Sequence, residues 1–201
     1  MEYVTGWSDS ALADWHEASP WSLMTQAAQI VTQLIAGLPM DEYRISDQVA
    51  VHRSATVEPG AVLKGPLIVG PDCFIASGAY LRGGCWLQGH CVIGPGAELK
   101  TSFMFAGSKL AHFNFVGDSI LGSGVNLEAG SIVCNYRNER ADKQIRVYIE
   151  GALHGIGHDK FGALIGDGVR LGANAVVAPG ALLTPGFIVP RGQVFDAEQS
   201  R

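Results

Sequence analysis

From Ile45 onward an aliphatic or comparable residue returns at every sixth position: Ile45, Val51, Val57, Leu63, Val69, Ile75, Leu81, Leu87, Ile93, Leu99, Phe105 and Ala111. The series steps four residues to Phe115, runs on through Leu121, Leu127 and Val133, breaks for a long loop, and resumes at Ile165, Leu171, Val177, Leu183 and Val189. The fourth residue after a lead is often small or apolar, as at Ala55, Cys73, Ala79, Cys91, Ala97, Val125 and Ala175, and Gly, Pro, Asp or Asn fill the positions between. Period six fits neither an amphipathic helix nor a plainly alternating strand. It predicts short strands joined by tight turns, with the lead and the small residue inward. Self-similarity of this kind means a solenoid whose coils bury each other's faces. Three hexads per coil make about seven coils, on the order of 33 Å long at the ~4.8 Å strand spacing.

Residues 1–44 lack this rhythm. Ser19 before Pro20 is a capping signal, and WSLMTQAAQIVTQLIAG places Leu23, Ala27, Ile30, Val31, Leu34 and Ile35 on one face until Gly37 stops the helix. A shorter helical turn is expected over Ala11 to Glu17, with Trp7, Trp15 and Trp21 as anchors. The expected organisation is a helical cap over 1–44, a β-helix over 45–195 with a long loop at 137–160, and a tail at 196–201.

Composition changes this picture little. The 201 residues, 47% of them hydrophobic, suit a single domain with a substantial core. A net charge of −5 argues against nucleic acid as the main partner. The N-terminus carries no leader pattern and no stretch approaches the length of a membrane span, so a cytoplasmic location is expected. Cys73, Cys85, Cys91 and Cys134 show no zinc-ligand spacing, and three of them fall on inward positions, which predicts buried free thiols.

The stretch Lys100 to Tyr136 interrupts the repeat and gathers a lysine, a histidine and two asparagines. Residues eighteen apart stack in successive coils, so Lys64, Arg82 and Lys100 form a column. Three stacked cations suggest a phosphate clamp, or else a solvated face on which the side chains splay apart. The step from Ala111 to Phe115 is short by two and falls beside His112. Such breaks aim side chains at ligands, and an imidazole in a groove can accept a proton at neutral pH. His154 and His158 flank glycines with no metal-site spacing, and no metal is expected.

The hexads resemble the hexapeptide-repeat left-handed parallel β-helix acyltransferases. Lys100 and KLAHFNFVGDSILGSGVNLEAGSIVCNY, continued by KFGALIGDGVRLGANAVVAPG, resemble the acetyltransferase domain of the bifunctional N-acetylglucosamine-1-phosphate uridyltransferase/glucosamine-1-phosphate acetyltransferases. The loop NYRNERADKQIRVYIEGALHG looks more like the related archaeal sugar-1-phosphate nucleotidylyltransferases. The resemblance covers residues 45–195. It implies an all-β left-handed β-helix, a homotrimer with sites between subunits, and acetyl transfer from acetyl-CoA to an amino-sugar 1-phosphate in nucleotide-sugar biosynthesis. It makes His112 the general base and gives Asn135 an orienting role. Arg82, Lys100 and Lys160 would hold the 1-phosphate, Asn126 the sugar, and Lys143 more loosely the same substrate. Backbone at Ala129 and Ala173 would receive acetyl-CoA.

Two features depart from that pattern. Phe115 stands where those enzymes have a tyrosine, and the 44 residues before the β-helix cannot contain a nucleotidyltransferase domain. Two other readings therefore stay open: a non-catalytic trimeric β-helix that partners a separate nucleotidyltransferase, and an O-acetyltransferase with another acceptor.

Overall fold

A computed structural model describes residues 3–199. The backbone winds as a three-sided parallel solenoid in which each face contributes seven parallel strands. The first face runs from Val49–His52 to Ala181–Leu183, the second from Thr56–Val57 to Ile188–Val189, and the third from Val62–Leu63 to Val194–Phe195. The inward residues form one continuous apolar column, with the small partners Cys73, Ala79, Cys85, Cys91, Ala97 and Ala175 filling the corners. All four cysteines are free, and burial pushes the Cys85 thiol up to about 11, which makes it a poor nucleophile at neutral pH.

The register differs from strict period six at three places. Ile45 belongs to Tyr43–Ser46, which pairs antiparallel with Val49–His52 at the edge of the first face, and Phe195 takes the last inward position instead. In the middle, Met104, Leu110 and Val116 point inward, not Phe105, Ala111 and Phe115. The shortening by two is therefore split into two single-residue steps, Leu99 to Met104 and Val116 to Leu121, both at the corner between the third and first faces. Serines close these tighter corners. Ser102 Oγ donates to Lys100 O at 2.8 Å and accepts from Ser119 N at 3.1 Å. Ser119 Oγ donates to Gly117 O at 2.7 Å and accepts from Ala163 N at 3.0 Å. The long loop enters at the same corner and contains a hairpin, Arg146–Ile149 with Ala152–Gly155.

The outer side of the first face is covered. Ile68, Trp86, Phe103, Ile120 and Leu164 project from successive strands into a second buried cluster with Leu23, Met24, Ala27, Ile30 and Val31 of the helix Pro20–Ala36. The helix begins as its sequence predicts, with Ser19 Oγ accepting from Ser22 N and proline in the first turn, and ends at Gly37. It lies so close that a Cβ on Gly84 would sit 2.5 Å from Ala28 N. The shorter helical turn is a 3-10 segment, Ala13–Trp15. Trp7 is buried with its ring 5.4 Å from that of Phe105, and Trp21 meets Phe161 edge-on at 6.0 Å.

Candidate functional site

The proposed site residues fall at two corners. His112 lies between Lys109–Leu110 on the second face and Phe115–Gly117 on the third. Its carbonyl accepts from Gly130 N at 2.8 Å, and Phe113 N donates to Pro95 O at 3.0 Å, which ties the turn to the coils on either side. Phe113 holds a left-handed φ of 51° and is 72% exposed. Gly96 and Gly130 hold the same left-handed conformation at this turn in the coils before and after, so the φ belongs to the solenoid corner, with phenylalanine in the place of glycine. Below the turn, buried Asn114 donates through Nδ2 to Glu128 O at 2.7 Å and to Ser131 Oγ at 2.9 Å. The backbone is thus held from three sides, while the His112 ring is exposed and makes no side-chain hydrogen bond or ion pair.

Packing beneath this turn gives a stability prediction. A Cβ at Gly94 would fall 1.6 Å from Ala111 O, and backbone cannot yield as a side-chain tip can. Gly94→Ala should lower stability by about 1–3 kcal/mol, read as a fall in the urea midpoint; an unchanged midpoint would mean that the coils can part here at no cost.

Ala129 and Ala173 stack in the next coils at this corner, with Asn174 N donating to Ala129 O at 3.0 Å. Ala173 N donates to Glu128 Oε2 at 2.9 Å, so that amide is already engaged. The Arg191 guanidinium grips the same carboxylate twice at 2.8 Å and holds it below the usual carboxylate range. Asn126 projects from the second face, paired in register with Lys109 before it and Arg170 after it.

The second corner, between the third and first faces, holds the cation column. Here the structure supplies anions that the sequence reading did not. Arg82 donates Nε to Glu98 Oε1 at 2.9 Å, with Nη2 at 2.7 Å from the same oxygen. Lys100 Nζ meets both Asp118 oxygens, at 3.0 and 2.8 Å. Lys64 lies over the Tyr80 ring, 5.2 Å from its centroid. Two of the three cations are therefore neutralised within the chain and the third rests on an aromatic face, so like-charge stacking alone does not call for a ligand.

Asp118 is the hub of this corner. It is 6% exposed and also accepts from Asn135 Nδ2. Its backbone N–H donates to Lys100 O, and its carbonyl accepts from Gly162 N. Lys160 arrives with the end of the long loop, exposed and without a side-chain partner. With Asp118, Thr101, His158 and Asp159 it lines a cavity of about 390 Å³, whose far wall is Met24, Thr25 and Ala28 of the helix. Lys143 is committed elsewhere: its Nζ donates to Arg137 O at 3.1 Å and Asn138 O at 2.9 Å, over the Tyr136 ring.

The structure thus brings Lys100, Asn135 and Lys160 together, places Arg82 one coil away, and sets His112 beside Ala129, Ala173 and Asn126. It does not bring the two groups together within one chain. Gly117, the partner of Lys100 in the ladder, is five residues beyond His112, roughly 16 Å of extended strand. The histidine and the cation column occupy opposite edges of the third face. Among the described residues no group of three or more metal-ligating side chains gathers, and no helix is long and apolar enough to cross a membrane.

No family model matches the chain. Among curated proteins, a bifunctional sugar-1-phosphate nucleotidylyltransferase/acetyltransferase of Sulfurisphaera tokodaii is 30% identical over 201 residues, covering 95% of this chain and 48% of that protein. A bifunctional protein GlmU of Heliobacterium modesticaldum is 31% identical over 158 residues, covering 79% of this chain and 31% of its own. The chain thus spans about half or less of the length of these relatives. Among solved structures, the acetyltransferase domain of PglB from Neisseria gonorrhoeae FA1090 in complex with acetyl coenzyme A aligns with a TM-score of 0.44 at 15% identity, over 83% of this chain and 60% of that one.

Proposed function

We propose, on the premise that the chain is a hexapeptide-repeat β-helix protein homologous over nearly its whole length to bifunctional sugar-1-phosphate nucleotidylyltransferase/acetyltransferases, that it transfers an acetyl group from acetyl-CoA to the amine of an amino-sugar 1-phosphate. The observation that carries this reading is the His112 ring: exposed and unpartnered, on a turn whose backbone is fixed from three sides. Catalytic bases need such free nitrogen on a rigid mount.

His112 removes the proton from the ammonium-derived amine as its nitrogen attacks the thioester carbonyl carbon. The C–N bond forms, the C–S bond breaks, and CoA leaves as the thiol once it has taken up a proton. Asn135 orients the reacting groups, Asn126 contacts the sugar, and the backbone at Ala129 and Ala173 lies along the path of acetyl-CoA. Arg82, Lys100 and Lys160 hold the 1-phosphate, Lys160 being the cation free to do so without first releasing a carboxylate. Lys143 supports the loop that delivers Lys160.

Because His112 and the cations lie on opposite edges of one face, the site is completed by a second copy whose lysine edge meets the histidine edge of the first. A homotrimer does this three times. The outer row of the third face suits such cover, with Val62, Ile132 and Val194 exposed at 45%, 36% and 67%.

The test is incubation with acetyl-CoA and glucosamine or galactosamine 1-phosphate while free thiol is followed. Thiol release matched by N-acetylated product is expected, and its absence would overturn the reading; an O-acetylated product would redirect it to another acceptor. One observation favours a second reading. The Arg82–Glu98 and Lys100–Asp118 pairs make the column self-sufficient, as in a scaffold that trimerises and partners a separate nucleotidyltransferase. Trimerisation without acetyl-CoA binding would select it.

A further inference from the structure

We infer that the second face carries a phosphate-binding subsite made by Lys109 and Arg170 on either side of Asn126. Arg82, Lys100, Arg137, Arg140, Arg146 and Arg191 each hold a carboxylate. Arg53 and Lys143 donate to backbone carbonyls, and Lys64 lies on an aromatic ring. Of the described lysines and arginines, Arg44, Lys109, Lys160 and Arg170 have no such partner.

Two of those four stand in one column. Lys109 pairs in register with Asn126, and Asn126 with Arg170, so the two residues flank the asparagine one strand to either side, with their backbones roughly 10 Å apart. That span suits two oxygens of a phosphate or diphosphate, with the Asn126 amide between them as a neutral donor. Both side chains are exposed on the outward side of the face. Arg170 lines a groove of about 450 Å³ with Asn126, Glu128, Arg191, Ile188 and Pro190. Glu128 is the acidic group of that groove and is held by Arg191, so it does not quench Arg170.

The column ends three residues before His112, on the histidine side of the molecule. It is distinct from the Arg82/Lys100 corner across the third face. Its assignment to a substrate rests on the acetyl-transfer reading. The ligand chemistry is a phosphate ester or diphosphate, supplied either by the sugar phosphate or by the phosphates of CoA.

The experiment is calorimetric titration of the wild-type chain, Lys109→Gln and Arg170→Gln with CoA, 3′-dephospho-CoA, glucosamine 1-phosphate and inorganic pyrophosphate. Each exposed substitution should leave the melting temperature unchanged and weaken one phosphate ligand about ten- to hundredfold, the loss expected for a charged hydrogen bond. Loss confined to CoA, and absent with the dephospho form, assigns the subsite to its 3′-phosphate. Loss for CoA and its dephospho form alike assigns it to the CoA diphosphate, and loss for glucosamine 1-phosphate assigns it to the sugar. If both variants bind all four probes as the wild type does, the subsite does not exist, even where acetyl transfer is intact. If the wild type transfers no acetyl group but pyrophosphate binding is lost in Arg170→Gln, the acetyl-transfer reading fails and the subsite stands.

Discussion

His112→Ala should lower the rate of thiol release by about 10²- to 10⁴-fold while leaving the melting temperature within error of the wild type. The magnitude is that of a positioned general base. The unchanged stability follows from the structure, because the ring is exposed and bonded to nothing, while the contacts that hold the turn come from backbone atoms and Asn114. Substitutions at such sites stay within about 0.5 kcal/mol. His112→Asn should be as slow, since an amide cannot take up the proton. Activity within tenfold of the wild type in either variant would remove His112 from the chemistry. A large fall in melting temperature would recast it as structural.

The separation of rate from stability depends on how the turn is built, and that was only partly visible in the sequence. The inward leads are legible because burial leaves no alternative at Leu81, Ile93 or Leu127, each fully enclosed in the core. Phe105 and Phe115 misled the count because they are apolar and sit where period six demands a lead. Phe105 turns outward to Trp7 and Trp86, and Phe115 leads its strand one residue ahead of the inward Val116. The signal for the true register was polar: Ser102 and Ser119 each close a corner that is one residue short.

The site was legible to a similar depth. Its special residues stand out, but their pairing does so only in part. Glu98 is the outward residue just ahead of Leu99 and lies outside the stacked positions, whereas Asp118 is eighteen residues after Lys100, the next position of the column itself, so the spacing alone offered it as the lysine's counter-charge. The ladder sets Lys100 beside Gly117, one residue off strict stacking, and still leaves Asp118 within reach. The covered first face had a sequence signal as well. Leu67–Val69 and Cys85–Leu87 are apolar on both sides, which period six alone does not require and which a helix packed outside explains.

Arg137→Ala should cost about 3–5 kcal/mol of stability, the largest effect expected from any single substitution outside the solenoid core. The guanidinium is 2% exposed, holds both Asp196 oxygens at 2.8 Å and donates to Pro179 O at 2.8 Å. Around it, Glu198 takes Arg140 at 2.6 Å, and Arg146 pairs with Asp142 at 2.5 Å. This cluster ties the start of the long loop to residues 196–199 and closes the last coil beneath it. Removing the arginine leaves a buried carboxylate without its counter-charge, which costs far more than the pair contributes when whole. The cycle Arg137→Met with Asp196→Leu should accordingly recover most of the loss.

Acid provides an independent check. The hydrogen bond from Arg137 holds the Asp196 carboxyl below its ordinary range, so its contribution is present above the unfolded value near ~3.9 and is lost as pH falls through the lower folded value. Urea midpoints measured from pH 6 down to 3 should fall for the wild type and more shallowly for Asp196→Asn. Since the same loop carries Lys160 to the cavity beside Asp118, Arg137→Ala should, on the proposed function, also slow acetyl transfer at temperatures where the chain remains folded. An Arg137→Ala midpoint corresponding to less than about 1 kcal/mol would show that the tail is held by packing and that the ion cluster contributes little.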